Sequence, residues 1–134
     1  MHALFEKADA LSHKIIGAAI EVHRIMGPGL TESIYEACLM HECELRQIPT
    51  RNQVVTGIGY KDLEFKNGLR VDMVVDDCLL IELKAVEHVL PVHKAQLYSY
   101  MKLMSIPVGL LINFHEETLK EGIHRMYLRK VKVA

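Results

Sequence analysis

Three charged side chains interrupt the most hydrophobic part of the sequence, RVDMVVDDCLLIELKAVE. Asp72 lies inside one apolar run, and Glu82 and Lys84 lie two positions apart in the next run. Side chains two positions apart in a β-strand point to the same face, so Glu82 and Lys84 share one. An unpaired charge is costly to bury. These three groups must therefore neutralise one another or hold something that does.

Two kinds of site fit this pattern. Carboxylates from neighbouring strands are hard oxygen ligands suited to Mg²⁺ or Mn²⁺, and they leave room for waters and a phosphate oxygen. The ammonium of Lys84 could then orient a water or stabilise developing charge. The alternative is an internal salt bridge at a strand edge, which the spacing alone favours equally, because ion-pair networks also place charges in such positions.

Helical periodicity dominates the first third of the chain. Apolar residues recur at helical spacing from about Leu4 to Met26, and Gly27-Pro28-Gly29 ends that pattern. Thr31 is placed to cap a second helix that runs to about Arg46. Two consecutive helices are therefore predicted before any strand.

Strand-length apolar runs follow, and turn-prone residues at 66–68 and 76–77 separate them. Pro91 suits the first turn of a later helix that is periodic to Met104. The run after that helix is apolar almost throughout, as expected of a strand covered on both faces. The order α, α, β, β, β, α, β predicts an α/β domain with a mixed sheet. The predicted strands are 54–60, 69–75, 78–83 and 108–114, with a short edge strand at 125–129.

Length and composition fit one compact soluble domain, which we expect to span residues 1–134. Half of the 134 residues are hydrophobic, and 16 basic residues oppose 17 acidic ones for a net charge of −1. No global positive field is present, so any phosphate-binding surface must be local. Three cysteines without paired metal-ligand spacing, a charged N-terminus and no apolar window of roughly 18 residues favour a cytoplasmic protein outside the membrane.

Polar residues on two helices are further candidates. Glu32 lies early on the second helix, and Tyr35 and Glu36 follow it at i+3 and i+4 on the same face. The residues alone favour an ordinary interpretation, in which the helix dipole stabilises Glu32 and Tyr35 packs partly buried. On the later helix, Gln96 and Tyr100 lie one turn apart and could project along one face.

The sequence resembles the PD-(D/E)XK nuclease superfamily. Asp72 with Glu82-Leu83-Lys84 is similar to its D…(D/E)xK signature, and GLTESIY, at 29–35, resembles the motif of its GxxExxY branch. The resemblance extends through LLIELKAVE, HKAQLYSYMKL and PVGLLINF, from about residue 8 to 129. Val71 stands where the superfamily's name has proline. That proline shapes the strand and supplies no ligand, so the departure is minor.

The resemblance implies a restriction-endonuclease-like αβββαβ core, in which helices flank a mixed central sheet. It also implies hydrolysis of phosphodiester bonds in DNA or RNA with Mg²⁺ or Mn²⁺, and it favours neither nucleic acid. The site residues it implies are Asp72 and Glu82 as metal ligands, helped by the Leu83 carbonyl and Glu32, with Lys84 as catalytic lysine, Gln96 near the phosphate, and Tyr35 and Tyr100 in support.

A second hypothesis is a nuclease-fold module that binds nucleic acid or a protein partner without cutting. Small size and near-neutral charge favour it, because a lone domain without a basic surface should bind a duplex weakly. A homodimer would double the binding surface. The first helix has an apolar stripe that could pack within the chain or against a second subunit.

Overall fold

A computed structural model describes residues 2–129 of the chain. The two predicted N-terminal helices are present, and they are joined at Gly27-Pro28-Gly29. Gly27 and Gly29 both have left-handed backbone, with φ of 74° and 96°, which residues with a Cβ rarely adopt. The elements are α1 (His2–Met26), α2 (Glu32–Leu45), β1 (Thr50–Tyr60), β2 (Leu63–Val75), β3 (Leu79–Lys84), α3 (Pro91–Met104), β4 (Val108–Asn113) and β5 (Ile123–Tyr127), with a short 3-10 helix (Leu119–Gly122) before β5.

The five strands form one mixed sheet in the order β1-β2-β3-β4-β5. The first three strands pair antiparallel, and β3 pairs parallel to β4, which makes the sheet mixed as predicted. Strand β5 pairs antiparallel to β4 and forms the edge predicted from the C-terminal segment. The parallel pair requires a crossover connection, and α3 supplies it.

Helices cover both faces of the sheet. Ile81 and Leu83 belong to the core that α1 and α2 cover, whereas Leu80 belongs to the core with Leu97 and Met101 of α3. Strand β4 is buried along its whole length, as predicted for a strand covered on both sides. The apolar stripe of α1 packs within the chain, where Ala8, Ile15, Ala18, Ala19 and Val22 are buried.

The predicted turn at 66–68 is wrong. The chain reverses at Lys61-Asp62, where Tyr60 pairs with Leu63, and residues 66–68 lie inside β2. Residues 66–68 form a β-bulge. The register shifts between Thr56 and Ile58, so these three residues of β2 lie opposite one residue of β1. Turn-prone residue types there indicate irregular backbone, and pairing with β1 decides its form.

Thr31 is the N-cap residue of α2, as predicted, but its side chain caps no backbone group. Its hydroxyl lies 3.2 Å from that of Ser33. Of the three free cysteines, Cys43 and Cys78 are buried and Cys38 is half-buried. Burial raises the pKa of the Cys43 and Cys78 thiols, which disfavours a reactive thiolate at either.

Candidate functional site

Asp72 and Glu82 come together where the pairing of β2 with β3 ends. The last pair of that ladder is Met73–Ile81, and the two acidic residues are next along each strand. The backbone N–H of Asp72 donates to Glu82 Oε1 over 3.1 Å, and the N–H of Leu83 donates to Asp72 Oδ2 over 2.7 Å. Carboxylate oxygens thus accept bonds from backbone donors at the end of the ladder, which fixes both side chains against the sheet.

Each carboxylate keeps one oxygen free. Asp72 Oδ1 and Glu82 Oε2 accept no hydrogen bond from residues 2–129. Glu82 is only 7% exposed and Asp72 is half-buried. Two anionic oxygens with little solvent and no protein donor form an oxygen-only donor set, which is what a hard divalent cation prefers.

Burial raises the pKa of both carboxyls, and nearby negative charges raise it further. The pKa of Glu82 rises to about 7, first because burial penalises its charged form and next because the charge of Asp72 is close. Burial also raises the pKa of Asp72, although the hydrogen bond from Leu83 opposes the rise. The pair therefore resists carrying two negative charges together unless a cation balances them.

Lys84 supplies positive charge at the same place. Its charge lowers the pKa of both Asp72 and Glu82. It makes no ion pair with any carboxylate in residues 2–129, so the salt-bridge alternative does not apply to the chain as described. The side chain is half-buried at the end of β3, on the same strand face as Glu82 by alternation.

Helix α2 adds two carboxylates at longer range. The negative charge of Glu32 raises the pKa of both Asp72 and Glu82, and that of Glu36 raises the pKa of Asp72. Glu36 acts on Asp72 more strongly than Glu32 does. The amides of Asn52 and Gln53 donate to the two oxygens of Glu36, over 3.2 and 2.8 Å. Sequence reasoning missed Glu36 as a site residue, although its i+4 spacing from Glu32 was the available signal.

Tyr35 is buried and holds the turn that precedes α2. Its hydroxyl donates to the carbonyl of Gly27 over 2.5 Å and accepts from the N–H of Leu30 over 3.1 Å. Its ring stacks on Phe114, with centroids 4.4 Å apart. Tyr35 therefore makes hydrogen bonds, as expected of a supporting residue, but to the backbone of 27–30 and not to the carboxylate pair.

The α3 candidates form a separate group. Gln96 Nε2 donates to the hydroxyl of Tyr100 over 2.8 Å, and Gln96 is exposed. Neither makes a hydrogen bond to Asp72, Glu82 or Lys84 in the described structure. His93 accepts the N–H of Leu90 through Nδ1 and so caps the helix.

No group of three or more His, Cys, Asp or Glu side chains within residues 2–129 is close enough to hold a metal ion. The pair of Asp72 and Glu82 still fits a Mg²⁺ site, because this ion is usually bound by one or two carboxylates, with waters and substrate phosphates completing its shell.

None of the helices in the described part is both apolar and long enough to cross a bilayer.

Helices on both faces of a mixed sheet, with paired carboxylates and a lysine where two central strands end, define an α/β fold consistent with the restriction-endonuclease-like class. The profile of the PD-(D/E)XK nuclease superfamily matches residues 9–126. The chain therefore belongs to the PD-(D/E)XK nuclease superfamily. No curated protein and no solved structure matches it.

Proposed function

We propose that this protein is a metal-dependent nuclease of the GxxExxY branch, which hydrolyses phosphodiester bonds in DNA or RNA with Mg²⁺ or Mn²⁺. One observation carries the proposal. Asp72 Oδ1 and Glu82 Oε2 are the free oxygens of two carboxylates that are hydrogen-bonded to the sheet. Membership of the PD-(D/E)XK superfamily supports a nucleic acid as substrate. The GLTESIY segment supports the branch.

In the proposed mechanism, Asp72 and Glu82 would hold the cation through these oxygens, and the Leu83 carbonyl and, at longer range, Glu32 would support its shell. A divalent cation there supplies Lewis-acid polarisation of the phosphate and balances the carboxylate charge. Because burial raises the pKa of Glu82 to about 7, cation binding there would release the proton that this carboxyl carries below that pH.

Lys84 acts on the water and the phosphate in this mechanism. Its ammonium is available for this role because it has no carboxylate partner among residues 2–129. It orients the attacking water by hydrogen bonding and stabilises the negative charge that develops on the phosphoryl oxygens. Gln96, an exposed amide on α3, helps to align the phosphate or the water, and Tyr100 holds the Gln96 side chain. Tyr35 keeps the start of α2, and with it Glu32, in place.

A catalytically silent module is the second candidate. The observation that favours it is the lack of a third carboxylate, histidine or cysteine close to the pair in residues 2–129, since two carboxylates alone bind a cation weakly. Such a module would use the same fold to bind nucleic acid or a protein partner, alone or as a homodimer.

Two experiments separate these candidates. The purified protein is incubated with end-labelled single- and double-stranded DNA and RNA in Mg²⁺, in Mn²⁺ and in EDTA. We expect at least one of these polymers to be cleaved in Mg²⁺ or Mn²⁺ and not in EDTA. Calorimetric titration with Mn²⁺ is then run on the wild type and on Glu82→Ala. Binding that the substitution abolishes supports the nuclease, whereas no binding and no cleavage by the wild type favours the module.

A further inference from the structure

Asn113, the last residue of β4, is a fully buried polar side chain that the proposed mechanism does not use. Its Oδ1 accepts the backbone N–H of Val86 over 3.0 Å, and its Nδ2 donates to the carbonyl of Val86 over 2.8 Å. Both main-chain polar groups of one residue are thus paired with one side-chain amide. The amide of Asn113 acts on Val86 as a strand backbone would.

Val86 lies two residues beyond Lys84, in the segment that leads from β3 to α3. Strand β3 ends at Lys84, which pairs with Asn113 in the parallel register. The next backbone bond is also made by β4, because the N–H of Phe114 donates to the carbonyl of Lys84 over 2.9 Å. Asn113 and Phe114 therefore bind the chain at Lys84 and at Val86, where β3 has ended.

Strand β2 gives Lys84 no comparable support. The register of β2 with β3 ends at Met73–Ile81, three residues before Lys84. The position of the Lys84 backbone thus depends on the β4 side.

The surroundings of Asn113 fix both its side chain and its backbone. Its Oδ1 also accepts the N–H of His115 over 3.3 Å. The buried Gly122 packs against its backbone, and a Cβ on Gly122 would collide with the carbonyl oxygen of Asn113. A buried amide whose nitrogen and oxygen both bond to the backbone is held in one rotamer, so it can serve as a rigid support.

We infer that Asn113 is a positioning residue for Lys84, because it clamps the backbone at Val86 and so fixes where the lysine leaves the sheet. This inference rests on the proposed nuclease function. A lysine side chain is long and flexible, and it aims its ammonium only if its backbone is fixed. Displacement of a reacting group by about 1 Å costs on the order of 100-fold in rate. Loss of the clamp therefore slows the chemical step more than it weakens metal binding.

The test compares Asn113→Ala, Asn113→Asp and the wild type. The Asp variant keeps the acceptor for the Val86 N–H but sets a buried carboxylate oxygen against the Val86 carbonyl, so it should lose at least as much rate as the Ala variant. Ile112→Val is the matched control, since it trims a buried side chain on the same strand without touching Val86. Each protein is assayed for metal-dependent cleavage at saturating substrate, for Mn²⁺ affinity by calorimetry, and for backbone amide exchange by mass spectrometry.

For Asn113→Ala we expect a turnover number lower by about 10- to 100-fold, a Mn²⁺ affinity within about threefold of wild type, and faster exchange confined to the segment 85–90. Ile112→Val should change none of these strongly. A purely structural role would instead lower metal affinity, melting temperature and rate together, and that result overturns the inference, as would an unchanged rate.

The exchange measurement does not depend on activity. If the wild type cleaves no polymer, the proposed function fails. Faster exchange at 85–90 in Asn113→Ala alone then still supports the clamp, and exchange equal to wild type there overturns it.

Discussion

The backbone N–H of Asp72 donates a hydrogen bond to the carboxylate of Glu82 over 3.1 Å, so the main chain of Asp72 orients the Glu82 side chain. The bond holds the two negative groups close together at the end of the β2–β3 ladder. Burial raises the pKa of both, and the charge of Asp72 raises the pKa of Glu82 further. This conflict is the structural reason to expect a cation there.

Substitutions of Asp72 and Lys84 should separate activity from folding. The asparagine in Asp72→Asn can still accept the N–H of Leu83 but no longer offers a charged ligand, and Lys84→Ala removes the ammonium. We expect each variant to lose at least about 100-fold in metal-dependent cleavage while its circular dichroism spectrum and melting stay near wild type. Asp62→Asn, in the hairpin turn, is the control and should cleave normally. Undiminished cleavage by both site variants would refute the assignment.

The metal-free protein should lose stability as pH rises from about 4.5 to about 7. The pKa of Glu82 is raised from 4.5 to about 7 in the folded state, so the folded protein binds this proton more tightly than the unfolded chain does. Unfolding releases the proton within that range, and the free energy of unfolding therefore falls by an amount on the order of a few kcal/mol. Urea denaturation in EDTA at several pH values measures this slope.

Glu82→Gln is the control for that slope, because its amide oxygen can still accept the N–H of Asp72 but cannot titrate. Its stability should vary less with pH than that of the wild type over the same range. Saturating Mn²⁺ should also reverse the loss in the wild type, because a ligand that binds only the folded state stabilises it. A wild-type stability that increases from pH 5 to pH 7 in EDTA would contradict the raised pKa.

The two helix carboxylates should differ in their effect on Asp72. Glu36→Gln removes the stronger of the two repelling charges, so it should lower the pKa of Asp72 more than Glu32→Gln does. Carbon-13 NMR titration of the Asp72 carboxyl measures this pKa in each variant. Glu44→Gln, on the last turn of the same helix, is the matched control and should leave this pKa unchanged. Equal effects of all three substitutions would show that α2 does not act on the site through its charges.

Tyr35→Phe should destabilise the turn that joins α1 to α2. The substitution keeps the ring stacked on Phe114 and leaves the carbonyl of Gly27 and the N–H of Leu30 without their partner. Loss of such bonds at a part-buried site costs about 1–3 kcal/mol, which chemical denaturation resolves. Tyr98→Phe also removes a hydroxyl that accepts a backbone N–H, that of Arg129, but at an exposed place. A control as destabilised as Tyr35→Phe would argue against a special role for the turn.

Periodicity predicted the helices and most strands well because burial of one face repeats along each element. The apolar positions of α1 and the fully apolar run of β4 needed no knowledge of their partners. The hairpin turn escaped prediction because Lys61-Asp62 lacks a strong turn signal, whereas residues 66–68 carry one and form a bulge. Pairing between strands, which is nonlocal, decided between the two.

The candidate site was likewise predicted in part from local sequence patterns, and the rest depended on contacts between distant segments. The residue types predicted a charged cluster of Asp72, Glu82 and Lys84 on neighbouring strands, the i+2 spacing placed Glu82 and Lys84 on one strand face, and the resemblance implied their roles. Neither spacing nor resemblance could show that Glu36 acts on Asp72, since Asn52 and Gln53 of β1 hold it in place.

By itself, then, the sequence determined which residues carry the charge and which elements they lie on, because local spacing and burial are written along the chain. Only the tertiary structure decided which oxygens stay free, which amide clamps the backbone after Lys84, and which charges raise the pKa of Glu82. Those properties depend on distances and burial between segments far apart in the chain, and such distances exist only once the sheet has formed.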